Sequence, residues 1–92
     1  MYEIVPSNQF RKDLKLAQKR GYGYDLSKLK VVISTLASGE ALEPRYRDHL
    51  LTGNYGGFRE CHIQPDWLLV YQIDGERLFL FLARTETHSD LF

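Results

Sequence analysis

The stretch FRECHIQPDWLLVYQ, residues 58–72, crowds Arg59, His62 and Asp66 around a Gln-Pro-Asp turn. Two more histidines, His49 and His88, and Arg84 lie in the same half of the chain. Histidine titrates near neutrality and serves as general acid or base without extreme tuning. A neighbouring carboxylate such as Asp66 can orient the ring or share the proton work. A guanidinium stabilises charge developing on a phosphoryl group, with a geometry lysine does not reproduce. Together these groups suit metal-free RNA cleavage: a base takes the ribose 2′-OH proton, the oxygen attacks phosphorus, and an acid protonates the departing 5′-oxygen.

Blander readings stand beside this one. Asp66 after Pro65 is an ordinary turn residue, because its carboxylate can hold local amides. His62 can fill a strand end, and His88 can support a short C-terminal segment. Cys61 is next to His62, but adjacent strand residues point to opposite faces, which weighs against a nucleophilic pair. Three histidines and Asp66 could hold zinc, yet none has compact ligand spacing. No phosphate-cradling loop or dinucleotide fingerprint is present. On the residues alone, RNA cleavage stands only modestly above a partner-binding domain.

The elements that must position these residues are legible from pattern. Tyr2 to Val5 is β-prone and ends at Pro6. Ser7 is placed to cap a helix to about Arg20, with Phe10, Leu14 and Ala17 as its buried stripe, stopped by Gly21 and Gly23. Asp25 is placed to cap a second helix ending before Gly39, with Leu26, Leu29, Val32, Ile33 and Leu36 inward. Residues 40–57 read as a long irregular segment carrying His49. Strands are expected over about 58–63, 67–73 and 76–84. Asp74-Gly75 signals a two-residue type I′ hairpin, which would set Tyr71 opposite Leu78 and Trp67 opposite Leu82. That register ends Arg84 beside the Pro65-Asp66 turn, where Asp66, His62, Arg84 and His88 would converge. A three-residue first loop pairs Ile63 with Trp67 and puts Arg59 with Tyr71 and Arg84, His62 facing away; a four-residue loop reverses this. The fold class is α+β: a helical hairpin packed on a twisted, mainly antiparallel sheet of four strands.

Composition bounds the rest. The 92 residues suffice for one domain, 43% hydrophobic and 13% aromatic, with no repeats or linker. One cysteine excludes an intrachain disulfide framework and fits a reducing, cytoplasmic compartment. No apolar run approaches the roughly 20 residues of a membrane span, and no signal-peptide core is visible. Formal net charge is zero, but residues 1–48 hold nine Lys/Arg against six Asp/Glu and residues 49–92 three against six. The basic excess gathers at Arg11, Lys12, Lys15, Lys19 and Arg20, either a solvated helix face or one that contacts phosphate or a partner.

The segments YRDHLLTGNYGGFRECHIQPDWLLVYQI and LFLARTETHSDLF, with LAQKRG and DLSKL upstream, resemble the YafQ branch of the RelE toxin superfamily over nearly the whole chain. The resemblance implies the toxin of a type II toxin–antitoxin pair with a RelE-like fold, which enters the ribosomal A site and cuts mRNA there without a metal ion or other cofactor. It implies a cognate antitoxin, of ribbon–helix–helix type and encoded nearby, and operator DNA bound only by the toxin–antitoxin complex. Carried over by motif, His49 in RDHL, His62 and Asp66 in CHIQPDW, and His88 in TETHSD are catalytic, and Arg84 in ARTE meets the scissile phosphate. His88 is the expected general acid, and Asp66, aided by His62 or His49, handles the 2′-OH proton. Arg59 in GFRE is a phosphate candidate, Phe92 a terminal aromatic against a base, and Lys12 and Lys15 supply ribosomal RNA contact or antitoxin docking. Relatives of this type are usually basic, whereas this chain is neutral. A non-enzymatic binder of the same fold, such as relatives that poison DNA gyrase, and a zinc-dependent hydrolase are the competing functions.

Overall fold

A computed structural model describes residues 1–20 and 24–87. The order is β1 (Glu3–Pro6), α1 (Asn8–Arg20), α2 (Leu26–Ala37), β2 (His49–Leu50), β3 (Arg59–Gln64), β4 (Trp67–Asp74) and β5 (Phe79–Thr87). Both helix starts follow the capping logic. Ser7 Oγ accepts from the Phe10 N–H at 2.9 Å, and Asp25 Oδ1 accepts from the Ser27 N–H at 2.9 Å. The hydroxyl and amide of Ser27 also hold the Asp25 carboxyl below its usual range. The glycines expected to join the helices, Gly21 and Gly23, lie outside the described residues.

The sheet has five strands, not four, in the order β1-β5-β4-β3-β2. The fifth is β2, a two-residue strand inside the segment expected to be irregular, pairing His49 with Glu60 and Leu50 with Arg59. β1 joins as a parallel neighbour of β5, from Glu3 opposite Phe79 to Pro6 opposite Leu82, since both helices intervene before the chain returns. The other three pairings are antiparallel.

The core lies between the helices and one sheet face. Phe10 and Ala17 of α1 and Leu29, Val32 and Leu36 of α2 meet Cys61, Ile63, Trp67, Leu69, Tyr71, Leu80 and Leu82. These are alternate strand positions, as a sheet buried on one side requires. Leu14, Leu26 and Ile33 pack on this cluster partly exposed.

Two registers differ from expectation. The β4–β5 hairpin does not turn at Asp74-Gly75. Asp74 pairs with Phe79, and Gly75 to Leu78 make a four-residue loop. Asp74 Oδ1 accepts from the Glu76 and Arg77 amides at 3.1 and 3.0 Å, and Leu78 takes φ +62. Side-chain capping by Asp thus favours the longer turn over a type I′ pair. β5 consequently begins three residues later than expected. Ala83 is then skipped between Leu82, opposite Tyr71, and Arg84, opposite Val70. Ser7 holds this bulge, its amide donating to the Leu82 carbonyl at 2.9 Å and its hydroxyl to the Ala83 carbonyl at 2.7 Å.

The β3–β4 loop is two residues, Pro65-Asp66, with Gln64 opposite Trp67 and Ile63 skipped. One bulged residue restores the parity of the three-residue loop, so Arg59 lies opposite Tyr71 and His62 opposite Leu68.

Candidate active site

Paired residues on neighbouring strands share a sheet face. Two rows can be followed across the sheet: His49–Glu60–Val70–Arg84 and His62–Leu68–Glu86. His49, Glu60, His62, Arg84 and Glu86 therefore stand on one face, turned away from the core cluster. The Ala83 bulge decides this for Arg84. Without it Arg84 would lie opposite Leu69, on the core side.

Both histidines among the described residues are set by a backbone carbonyl. His49 Nδ1 lies 2.7 Å from the Arg47 carbonyl, and His62 Nδ1 lies 3.2 Å from the Pro65 carbonyl. A carbonyl only accepts, so Nδ1 is the donor in both rings. His49 Nε2 faces Glu60 Oε1 at 3.5 Å, and the Glu60 side chain is only 10% exposed. Asp66 is exposed at the turn, one residue beyond the Pro65 that holds His62. The buried Trp67, with Tyr24 at a ring distance of 5.1 Å, fixes that turn to the core.

The arginines are more committed than the sequence suggests. Arg84 Nε lies 3.2 Å from Asp13 Oδ2, and Arg84 Nη2 pairs with Glu86. Asp13 also accepts from the Thr85 amide at 3.2 Å, capping β5 where β1 no longer covers its edge. Glu86 is buried, and its second oxygen has no hydrogen-bond partner among the described residues. Arg84 is thus a mid-sheet residue between two carboxylates, not a strand end beside the Pro65-Asp66 turn. Arg59 stands on the opposite face and donates to Asp48 at 3.1 Å; the Tyr71 hydroxyl donates to the same oxygen at 2.6 Å. Asp48 therefore pins the strand that carries His49. Burial foremost, and then Asp48, push the Tyr71 hydroxyl well above its ordinary range.

Lys12 and Lys15 are exposed on α1. His88 and Phe92 lie outside the described residues. Cys61 is fully buried on the core face, and burial pushes its thiol up to about 12, which suits packing rather than nucleophilic attack. Among the described residues no three His, Cys, Asp or Glu side chains gather to hold a metal ion. Also among them, no helix is long and apolar enough to cross a membrane. Sequence reasoning missed Glu60, Glu86, Asp48 and Asp13. A charged residue inside a strand, as Glu60 and Glu86 are, is the signal that it faces a site rather than the core.

Two helices thus pack on a five-stranded mixed sheet that turns His49, His62 and Arg84 away from the core cluster. Residues 2–92 match the family described as "Bacterial toxin of type II toxin-antitoxin system, YafQ". The mRNA interferase toxin YafQ of Escherichia coli K12 is 42% identical over 91 residues, covering 98% of this chain and 95% of that protein. The crystal structure of a metal-bound toxin from Helicobacter pylori superimposes with TM-score 0.89 at 48% identity, covering 100% of both chains. YafQ in the E. coli DinJ–YafQ complex superimposes with TM-score 0.87 at 40% identity, covering 100% of this chain and 99% of the other. The chain belongs to the YafQ family of type II toxins.

Proposed function

We propose that this chain is an mRNA interferase that cuts mRNA in the ribosomal A site. The observation that carries the reading is near full-length likeness to an mRNA interferase toxin, in a chain whose fold puts His49, His62 and Arg84 on one face. The chemistry is internal transesterification. A base removes the 2′-OH proton, the 2′-oxygen bonds to phosphorus, and the bond to the 5′-oxygen breaks as that oxygen gains a proton. The products are a 2′,3′-cyclic phosphate and a 5′-OH end. DNA lacks the internal nucleophile, so the site selects RNA chemically.

Asp66, with His62 or His49, takes the 2′-OH proton. The Nδ1–H to carbonyl bond of each histidine supports this, because it fixes the orientation of the ring. His88 is the general acid and Phe92 a base contact. Arg84 stabilises the charge on phosphorus with donors left over from Asp13 and Glu86, a geometry consistent with its 30% exposure. Lys12 and Lys15 meet ribosomal RNA or the antitoxin. The antitoxin is a DinJ-like, ribbon–helix–helix protein that covers the site and gives the pair operator binding.

In vitro translation followed by primer extension tests the function. Cuts inside translated codons that vanish when ribosomes are omitted are expected; inhibition of growth with no cut mRNA would overturn it.

A further inference from the structure

The strand that reaches the catalytic face needs cations for the phosphates on either side of the cut, and the two arginines expected to supply them are already engaged by carboxylates. Arg84 lies between Asp13 and Glu86, and Arg59 is bound to Asp48. With Glu60 also buried on the catalytic face, carboxylates stand beside the one arginine of the described part of that face.

A cleft of about 360 Å³ opens beside His62 at the outer edge of β3, beyond the reach of the short β2. Lys28, Arg45, Tyr46, Arg47 and His62 are among its lining. Its size falls within the roughly 300–1,000 Å³ of small-ligand pockets. Three parts of the fold bring the cations together. The Asp25 amide donates to Gln64 Oε1 at 2.9 Å, which ties the start of α2, and so Lys28, to the end of β3. A 3₁₀ turn at Pro44–Tyr46 presents Arg45, and Arg47 caps it in the left-handed region at φ +49. Asp25 is the carboxylate near Lys28, and Glu43 pairs with Arg45 at 3.3 Å. Both Arg45 and Glu43 are more than 70% exposed, so that pair competes weakly with a phosphate. Among the described residues Arg47 and Lys28 form no ion pair. The Arg45 guanidinium sits 4.8 Å from the Tyr46 ring centroid and offers a stacking platform for a base.

We propose that this cleft is a nucleotide subsite: it holds the ribonucleotide next to the scissile link, its phosphate on Lys28, Arg45 and Arg47 and its base against Arg45. The mRNA would then run from the His49–Arg84 face over the free edge of β3, past His62. The proposal rests on the nuclease reading for the direction of the strand, but RNA binding in the cleft is testable apart from cleavage.

The test combines Lys28→Gln, Arg45→Gln and Arg47→Asn, the last because Asn tolerates the left-handed backbone. All three positions are exposed, and circular dichroism checks the fold. On ribosomes carrying mRNA, the toxin concentration for half-maximal cutting should rise on the order of tenfold, and the salt slope should fall by about 0.7, because one phosphate of a single strand loses its cations. The rate at saturation should stay within about twofold. A tetranucleotide with one 2′-deoxy sugar at the cleavage position should shift the Lys28, Tyr46 and Ile63 amides in NMR spectra of the wild type and not of the variant. An unchanged half-saturation, or a loss confined to the saturated rate, overturns the subsite. An equal loss of binding to ribosomes without mRNA, together with no tetranucleotide shifts, also overturns it by moving the cations to ribosomal RNA. Wild-type protein that never cuts defeats the nuclease reading alone, and the tetranucleotide titration still decides the cleft.

Discussion

At the residue scale, the roles of single side chains separate by what each would cost when removed. A positioned acid or base contributes about 10²–10⁴-fold. His62→Ala and Asp66→Asn are expected to lower the single-turnover cleavage rate by that order with little change in toxin binding, read by primer extension on programmed ribosomes. His88→Ala should abolish most cutting while the protein stays folded; retained cutting would remove it as the acid. Arg84 is different, because it is the counterion of two carboxylates that are themselves almost fully buried. Removing one partner of such a set leaves buried charge unpaired, at a cost of about 3–5 kcal/mol. Arg84→Ala should therefore lower both the cleavage rate and the urea midpoint, whereas Arg84→Lys, which keeps the charge, should restore much of the stability but not the rate. Equal rescue of both would mark Arg84 as purely structural.

At the element scale, the placement of β2 matters most, because two residues of strand position the candidate base His49. Three devices fix it: the left-handed Arg47, the Asp48 fork to Arg59 and Tyr71, and pairing with Glu60 and Arg59. A hydrogen bond to a charged group is worth about 1.5–3 kcal/mol. Tyr71→Phe removes one while keeping the buried ring. It should lower Tm by several degrees, speed amide exchange at residues 48–50 and reduce the cleavage rate through His49. Unchanged exchange there would show that β3 alone fixes the strand. The Ala83 bulge is the other decisive element, since it turns Arg84 to the face shared with His49 and His62. Both helices, by contrast, follow directly from local sequence. Ser7 and Asp25 cap them as expected, and Phe10, Ala17, Leu29, Val32 and Leu36 are buried as their spacing requires.

At the scale of the whole molecule, the buried Cys61 and Tyr71 predict alkaline lability. Cys61 rises from 9.0 to about 12 in the folded chain, and Tyr71 rises as well, in both cases chiefly through burial. The unfolded chain loses these protons first, so stability is intact below the free thiol's 9.0 and falls as pH climbs through about 12. Urea titrations across that window should show the loss, and Cys61→Ala should flatten it; an unchanged slope would assign the effect to Tyr71. The same burial predicts that iodoacetamide modifies Cys61 only after unfolding. Cleavage is expected to persist in excess EDTA, as acid–base chemistry needs no metal. The amino-acid order by itself determined the helices, the hydrophobic alternation of the strands and the family motifs, because caps, periodicity and motif spacing are properties of contiguous residues. It also supplied His49, His62 and Arg84 as candidates for chemistry. Only the tertiary structure decided which of them share a face, because strand parity depends on loop length and on single skipped residues. Asp74 lengthened one turn, while Ala83 and Ile63 were skipped, and each shift moves every later side chain relative to its neighbour. The partners Asp13, Asp48, Glu60 and Glu86 became visible only then, since a buried carboxylate is defined by what folds around it and not by its neighbours in sequence.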